Sequence, residues 1–153
     1  MLSFSASPYN AMVASCIRAL PNEGCGLLLG NLDGTVVEVV ASPNVADSAK
    51  VYEIDSRVLL RTFRRAEDEG LEVLGVYHSH THSEAYPSPT DIAQAPDPAW
   101  HYLLVSLRDA ATVVRSFRIV EGEVSEEGVA TWGHLDHQQR GFPSPGENES
   151  NVT

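Results

Sequence analysis

The sequence predicts a single α/β domain in which helices and strands alternate along the chain. Its 153 residues are the size of one domain and are long enough to bury a core. Apolar residues recur at helical spacing from Met12 to Leu20 and from Val58 to Ala66, and short apolar or β-branched runs lie between and after these segments. Alternation of the helical and strand periods favours packed layers of helices and sheet.

The first half of the chain is predicted to contain one helix and a β-hairpin. Ser7 is the expected N-cap of the helix, Pro8 its first helical residue, and Pro21 marks its end. Two strands follow, over 24–30 and 35–41, and the Asp-Gly pair between them is typical of a hairpin turn.

The second half is predicted to continue the alternation. A helix capped by Asp55 or Ser56 ends before Gly70, because glycine commonly follows a helix C-terminus. A strand over Glu72–His80 and a short helix near Thr90 come next. Further short strands are predicted over 51–54, 102–106, 112–120 and 123–126.

Charge and composition narrow the class of protein. The formal net charge of −11 at pH 7 opposes binding to a phosphate backbone, so no nucleic-acid partner is expected. The absence of a membrane-spanning apolar run and of a signal-peptide pattern predicts a cytoplasmic protein without membrane contact. Cys16 and Cys25 are expected to be reduced and buried. The domain is predicted over 1–131, with a flexible polar tail over 132–153.

The informative segment begins at the end of the strand over 72–80. Alternation assigns four side chains to one face of that strand: Leu74, Val76, His78 and His80. That face begins apolar and ends in two imidazoles at the strand tip, where they can bind one metal ion.

The short helix after this strand supplies a third candidate ligand. Ser88 and Pro89 are its expected N-cap and first residue, and Asp91 its third residue. The preceding loop is long enough to bring Asp91 beside His78 and His80. Two histidines and one aspartate make a three-ligand zinc site whose fourth position is left for water, which is typical of catalytic zinc. Zinc lowers the pKa of such a water to about 7, so that it can attack at neutral pH.

A zinc site of this kind also benefits from a base that takes the proton of the water and delivers it to the leaving amine. Glu23 is the candidate, at the joint between the first helix and the hairpin. Gly24 and Gly26 beside it would allow the backbone to approach a ligand closely. From spacing alone, however, Glu23 is one of many acidic residues.

Each part of this pattern also has a simpler interpretation. His78 and His80 alone are typical of ordinary, partly exposed strand residues. Ser88 and Asp91 alone fit a capping box without a catalytic role. The four positions together form a much narrower pattern, which favours catalysis. His82 is an alternative ligand, although its position past the strand end favours a loop residue.

This pattern resembles the JAMM motif of MPN-type metallopeptidases: a distant Glu, then His-x-His, seven residues, Ser, two residues and Asp. The resemblance extends over about residues 10–128 and implies a curved, mostly antiparallel sheet packed between helices. It also implies that His78, His80 and Asp91 bind Zn²⁺. Glu23 would then be the general acid/base, and the Ser88 hydroxyl would hydrogen-bond the tetrahedral oxyanion.

Within this class the sequence is similar to the bacterial Mec-type peptidases of sulfur-carrier cysteine biosynthesis. The similarity is carried by four stretches: 23–26, 77–81, 84–88 and 116–120. It implies an enzyme that hydrolyses the bond after the C-terminal Gly-Gly of a ubiquitin-like sulfur carrier protein and releases cysteine. The long tail after Thr131 and the residues after His82 depart from the pattern and leave the choice of substrate open.

Other functions stay open at this point. A JAMM isopeptidase of the deubiquitinase type carries insertions around the catalytic loop, and no segment of that size lies near Asp91. A carrier-trimming peptidase of another sulfur pathway would use the same site on a different carrier tail. A non-catalytic MPN scaffold usually lacks the ligands that this chain retains, and the acidic charge does not suit a DNA-repair-associated branch.

Overall fold

The computed structural model describes residues 1–133, and this part of the chain contains eight strands and three helices. In chain order these are β1 Leu2–Ser5, α1 Ala6–Ala19, β2 Cys25–Gly30, β3 Thr35–Ser42, α2 Ser56–Glu69, β4 Glu72–His80, α3 Pro89–Ala93, β5 His101–Ser106, β6 Val113–Val120, β7 Glu123–Glu127 and β8 Val129–Trp132. The predicted alternation of helices and strands is confirmed.

All eight strands form one curved sheet in the order β7-β6-β5-β4-β2-β3-β1-β8. Four of its seven neighbouring pairs are antiparallel and three are parallel. The two edge strands, β7 and β8, are consecutive in sequence and joined only through Gly128. A flat sheet would separate its edges by roughly 33 Å, at about 4.8 Å per strand, so the sheet must curl to let one residue connect them.

A helix covers each side of the sheet. Met12 of α1 packs in one apolar cluster with Leu28 of β2. Val58 of α2 packs in a second cluster with Leu27 and Leu29. Alternation along β2 therefore supplies both layers of the core from one buried strand.

The bounds of α2 agree with the prediction, whereas the start of α1 does not. The Asp55 side chain accepts a hydrogen bond from the Arg57 amide at 2.7 Å, and Gly70 ends the helix at φ +67°. The N-cap of α1 is Ser5 rather than the predicted residue, and Pro8 is its third residue. Proline is accepted throughout the first helical turn, where its missing N–H has no partner, so it does not fix the first residue.

The prediction that Leu74 shares a face with His78 and His80 is wrong. The register between β2 and β4 shifts just after Leu28, which leaves one extra residue on β4. Leu74 consequently packs in the cluster on the α1 side, while Val76 packs in the cluster on the α2 side. The bulge reverses the alternation before the histidines are reached.

The structure also differs from the prediction in the number of strands. β1 and β8 were not predicted, and residues 51–54 form no strand beyond a single bridge between Ile54 and Asn44. The predicted tail lies outside the described residues, apart from Trp132 at the end of β8 and Gly133. Within residues 1–133 no helix is long and apolar enough to cross a membrane.

Candidate metal centre and active site

The end of β4 carries the two histidines in the middle of the sheet. His78 lies opposite Cys25 of β2 and Leu104 of β5. His78 and His80 are only 2% and 5% exposed, and their Nε2 atoms are 3.3 Å apart. The strand therefore presents two imidazole nitrogens to one point, and the two residues are not ordinary exposed strand positions.

The capping box of α3 brings Asp91 to the same point. The Asp91 amide donates to the Ser88 hydroxyl at 3.1 Å, and the Ser88 amide donates to Asp91 Oδ2 at 2.8 Å. The same Oδ2 lies 3.1 Å from Nε2 of both His78 and His80. The capping box thus fixes the Asp91 carboxylate against the two imidazoles. The same side chain can therefore cap the helix and bind a metal.

Neighbouring groups orient the two imidazoles. His80 Nδ1 donates to the Glu84 carbonyl at 2.8 Å, so Nε2 is the ring nitrogen that faces Asp91 and is available to bind a metal. His78 stacks on Tyr52, with ring centroids 4.2 Å apart and planes inclined by 18°. Both rings are therefore held in place without the metal.

A main-chain clasp, formed by Gly24 and Ser79, holds Glu23 beside the histidines. The Gly24 amide donates to Ser79 Oγ at 2.8 Å, and the Gly24 carbonyl accepts from the Ser79 amide at 2.9 Å. The Glu23 amide donates to the Ser48 carbonyl at 2.9 Å, and its carbonyl accepts from Asn44 Nδ2 at 3.1 Å. Because Ser79 lies between the two histidines, the clasp fixes the Glu23 backbone relative to both.

The two glycines after Glu23 serve packing rather than approach to a ligand. A Cβ on Gly24 would lie 2.8 Å from Cys16 Cα, and a Cβ on Gly26 would lie 2.5 Å from the Tyr77 ring. The space beside each glycine is therefore filled by the protein itself, which corrects the expectation that these positions serve a ligand.

Burial controls the ionisation of Glu23. Desolvation raises the pKa of Glu23 to about 7; the charge of Asp91 adds to the rise and His80 opposes it. Within residues 1–133, Glu23 Oε1 has no hydrogen-bond partner although it is buried. A carboxyl group with a pKa near neutrality can both accept and release a proton, as a general acid/base must.

The other three groups are suited to bind a cation. Burial alone would raise the pKa of Asp91, but hydrogen bonds with His78 and His80 and from the Ser88 amide hold it well below its usual range. Burial lowers the pKa of His78, against the effect of Asp91, and favours the neutral imidazole that metals bind. Burial also opposes the charged form of His80, yet Asp91 and the Glu84 carbonyl outweigh it and raise its pKa.

The donor set fits a divalent metal ion. Nε2 of His78, Nε2 of His80 and Oδ2 of Asp91 form a triangle with edges of 3.1–3.3 Å. Ligands about 2.0–2.1 Å from a tetrahedral ion are about 3.3 Å apart, so the triangle matches three corners of such a site. Glu23 also has an oxygen within 4.8 Å of both histidine nitrogens. The shorter distances favour Asp91 as the third ligand and leave Glu23 beside the site.

A cavity of about 400 Å³ opens beside this cluster and is called here the metal-side cavity. Its lining consists of Glu23, Ala49, Lys50, His80, Thr81, His82, Ser83 and Ser88. His82 lies in the wall, where its Nδ1 is 2.8 Å from the Thr81 hydroxyl, and it does not join the metal cluster of the described residues. This is the loop position that its place past the strand end predicts.

The structure brings all five predicted site residues together, and it adds one that sequence reasoning missed. Asn44 Nδ2 donates to the carbonyls of Glu23, Ser48 and Val51, and its Oδ1 accepts from the amides of Ala46 and Glu53. A Pro-Asn pair predicts a turn at this position. Nothing local, however, indicates the contact with Glu23.

Comparison with known proteins assigns the family. Residues 5–120 match the model described as prokaryotic homologs of the JAB domain. The chain is 42% identical over 131 residues to a CysO-cysteine peptidase of Mycobacterium tuberculosis, a match that covers 84% of this chain and 90% of the relative. It is 37% identical over 111 residues to a probable TtuB-protein conjugate cleaving protease of Thermus thermophilus, covering 72% and 70% of the two chains.

A solved structure agrees with this assignment. The solution structure of protein DSY2949 from Desulfitobacterium hafniense has a TM-score of 0.81 and 34% identity to this chain, and the match covers 89% of this chain and 96% of that one. The fold predicted from the motif is therefore confirmed over nearly the whole described part of the chain. The protein belongs to the family of prokaryotic homologs of the JAB domain.

Proposed function

We propose that this protein is a zinc-dependent peptidase that hydrolyses the bond after the C-terminal Gly-Gly of a ubiquitin-like sulfur carrier protein and releases cysteine. The observation that carries the proposal is the triangle of His78, His80 and Asp91 with the buried Glu23 beside it. The substrate class is supported by the 42% identity to a CysO-cysteine peptidase.

The proposed ligands are His78, His80 and Asp91. Two imidazole nitrogens and one carboxylate oxygen suit Zn²⁺, although other divalent ions bind the same donors. Bound zinc would supply a Lewis acid that lowers the pKa of a water at the open position to about 7. The hydrogen bond between His80 and the Glu84 carbonyl, and the stacking of His78 on Tyr52, keep both ligands oriented.

Glu23 is the proposed general acid/base. Its buried carboxyl, with a pKa of about 7, can take a proton at neutral pH and return it to the departing amine. The Ser88 hydroxyl accepts from the Asp91 amide, so its own proton stays free to donate to the oxyanion that forms on the scissile carbonyl. Each proposed role thus uses a group whose remaining hydrogen-bonding capacity is available.

A second reaction would use the same residues. The name of the Thermus thermophilus relative describes cleavage of protein conjugates of a small protein, in place of removal of one amino acid. The two reactions differ in the group that is attached to the Gly-Gly of the carrier. In an amino-acid adduct this group ends in a free α-carboxylate, whereas in a protein conjugate it is a lysine side chain of another protein.

The experiment that tests the proposal is hydrolysis of the CysO–cysteine adduct, with the products identified by intact mass. Untreated wild type should remove one cysteine, whereas Glu23→Gln and chelator-treated wild type should leave the adduct intact. Restoration of activity in the chelated sample by Zn²⁺ would complete the assignment. An intact adduct with zinc-loaded wild type would contradict the proposed substrate, and cleavage that persists in the zinc-free protein would contradict the proposed chemistry.

A further inference from the structure

Lys50 lines the metal-side cavity, and among residues 1–133 no other lysine or arginine does so. It is also the single lysine of the whole sequence. We propose that Lys50 binds the free α-carboxylate of the residue attached after Gly-Gly, and so selects single-amino-acid adducts over protein conjugates. This inference rests on the proposed function and deepens it, because it assigns the class of substrate.

The cavity connects Lys50 with the reacting groups. Glu23, His80, Ser88 and Lys50 all line it. A substrate whose scissile carbonyl lies beside Ser88 has room in this cavity for its next residue. With a volume of about 400 Å³, the cavity is in the range that accepts a small ligand or a short peptide end.

The backbone of Lys50 is held relative to the metal site. Its amide donates to Ser48 Oγ at 3.0 Å, and the Thr81 hydroxyl donates to the Ala49 carbonyl at 3.3 Å. Thr81 comes directly after His80, so the loop is tied to the end of β4. The Lys50 backbone is therefore fixed at the wall of the metal-side cavity, and its exposed side chain extends from there.

The charge of Lys50 is free to bind an anion. Within residues 1–133, its ammonium group has no ion pair or hydrogen bond with another side chain, whereas several surface arginines are paired. An incoming α-carboxylate would otherwise meet a protein of formal charge −11. Lys50 supplies a positive charge that matches it.

The test compares two probes that differ only at the C-terminus. One is the CysO–cysteine adduct with its free carboxylate, and the other is the same adduct ending in a carboxamide. Wild type should hydrolyse the acid about 10-fold more efficiently than the amide, as measured by kcat/KM, because a charge-assisted hydrogen bond is lost with the carboxylate. In Lys50→Gln this ratio should fall to near one, and in Lys50→Arg most of it should remain.

Arg64→Gln is the matched control, since it removes one positive charge from the exposed surface of α2, outside the metal-side cavity, and should keep the wild-type ratio. Equal rates of wild type on acid and amide would overturn this inference while leaving the proposed function standing. A wild-type ratio of acid to amide kcat/KM in Lys50→Gln would overturn it in the same way. Failure of zinc-loaded wild type to cleave either probe would overturn the proposed function, and the inference with it.

Discussion

The two ends of β4 both open into cavities, and within residues 1–133 the proposed active-site residues lie at only one of them. At the Glu72 end a groove of about 830 Å³, called here the far groove, lies between α2 and residues 97–101. Phe63 and Trp100 line it, with ring centroids 6.2 Å apart. At the His80 end the metal-side cavity is about half that size. Volume alone would therefore select the wrong end of the strand.

The smaller cavity is distinguished by the convergence of buried polar groups. Glu23 and His80 line it, and His78 and Asp91 lie in the cluster beside it; each of these four residues is at most 9% exposed. In contrast, Arg64, Glu67 and Glu72 of the far groove keep their charges in water. Burying a polar group without full pairing costs about 1–3 kcal/mol, so a cluster of such groups indicates function more strongly than an apolar surface does.

The largest contrast between the two ends should come from removal of one carboxylate charge. Asp91→Asn keeps the shape of the capping box but weakens a metal ligand. We expect metal affinity to fall more than about 100-fold and hydrolysis to be lost, since even the outer partners of metal ligands are worth about 10–100-fold. Metal content by mass spectrometry and hydrolysis of the CysO–cysteine adduct measure both effects. Asp97→Asn in the far groove is the control and should retain metal and activity.

Glu23→Gln should give the next largest effect on activity. The amide has the shape of the carboxyl group but cannot take up a proton, so kcat should fall by about 10²–10⁴-fold while the metal is retained. Glu67→Gln makes the same change in the far groove and should leave kcat unchanged. A wild-type kcat in Glu23→Gln would contradict the proposed role of Glu23 as general acid/base.

Glu23→Gln should also stabilise the metal-free protein at high pH. Folding raises the pKa of Glu23 from 4.5 to about 7, so the fold favours the protonated carboxyl. The protonated Glu23 carboxyl therefore contributes stability that is fully present below pH 4.5 and is lost as the pH rises through about 7. At pH 8 the free energy of unfolding of chelator-treated Glu23→Gln should therefore exceed that of wild type by roughly 3 kcal/mol. Urea denaturation should show the difference vanishing near pH 4, and equal stabilities at pH 8 would speak against a buried, strained charge.

Asn44→Ala tests how much the metal-side cavity depends on its supporting loop. Loss of the hydrogen bonds to Glu23, Ser48 and Val51 should destabilise the protein by about 1–3 kcal/mol and lower kcat about 10-fold, because the Glu23 backbone loses one of its anchors. Metal content should not change, since no ligand is touched. Asn31→Ala, an exposed position at the opposite end of the sheet, is the control. A stability loss without any change in kcat would reduce Asn44 to a structural role.

The smallest effect is expected in the far groove. Phe63 is 43% exposed, so Phe63→Ser should change the free energy of unfolding by less than about 1 kcal/mol. The kcat/KM for the CysO–cysteine adduct should change less than about 2-fold. A KM increase of 10-fold or more, with kcat unchanged, would instead assign the far groove to docking of the carrier protein and narrow the contrast between the two ends.

The sequence predicted the features that depend on neighbouring residues, namely the bounds of strands and the caps of helices. The bounds of β4 follow from an apolar run between Gly70 and a polar loop, and the caps of α2 and α3 follow from Asp55 and Ser88. Each of these signals lies within a few residues of the structure it specifies. The resemblance to the JAMM motif added Glu23, which no local rule separates from the other acidic residues.

The errors arose where distant segments decide the outcome. The face occupied by Leu74 depends on a bulge set by pairing with β2, and β1 exists because it pairs in parallel with β3 and β8. Asn44 reaches Glu23 across 21 positions of sequence. Periodicity cannot report such contacts, because it records only the pattern of one segment by itself.

The clasp between Gly24 and Ser79 also bears on how the protein loses activity. These residues are 55 positions apart and join β2 to β4 in the middle of the sheet, where Gly24 is packed against α1. Amide hydrogens in such a place exchange with solvent only through the largest unfolding events. Fraying of the sheet edges would therefore leave Glu23 and His78 in place relative to each other. Thermal inactivation and global unfolding should share one midpoint. Residual enzymatic activity would then report the fraction of molecules that are folded.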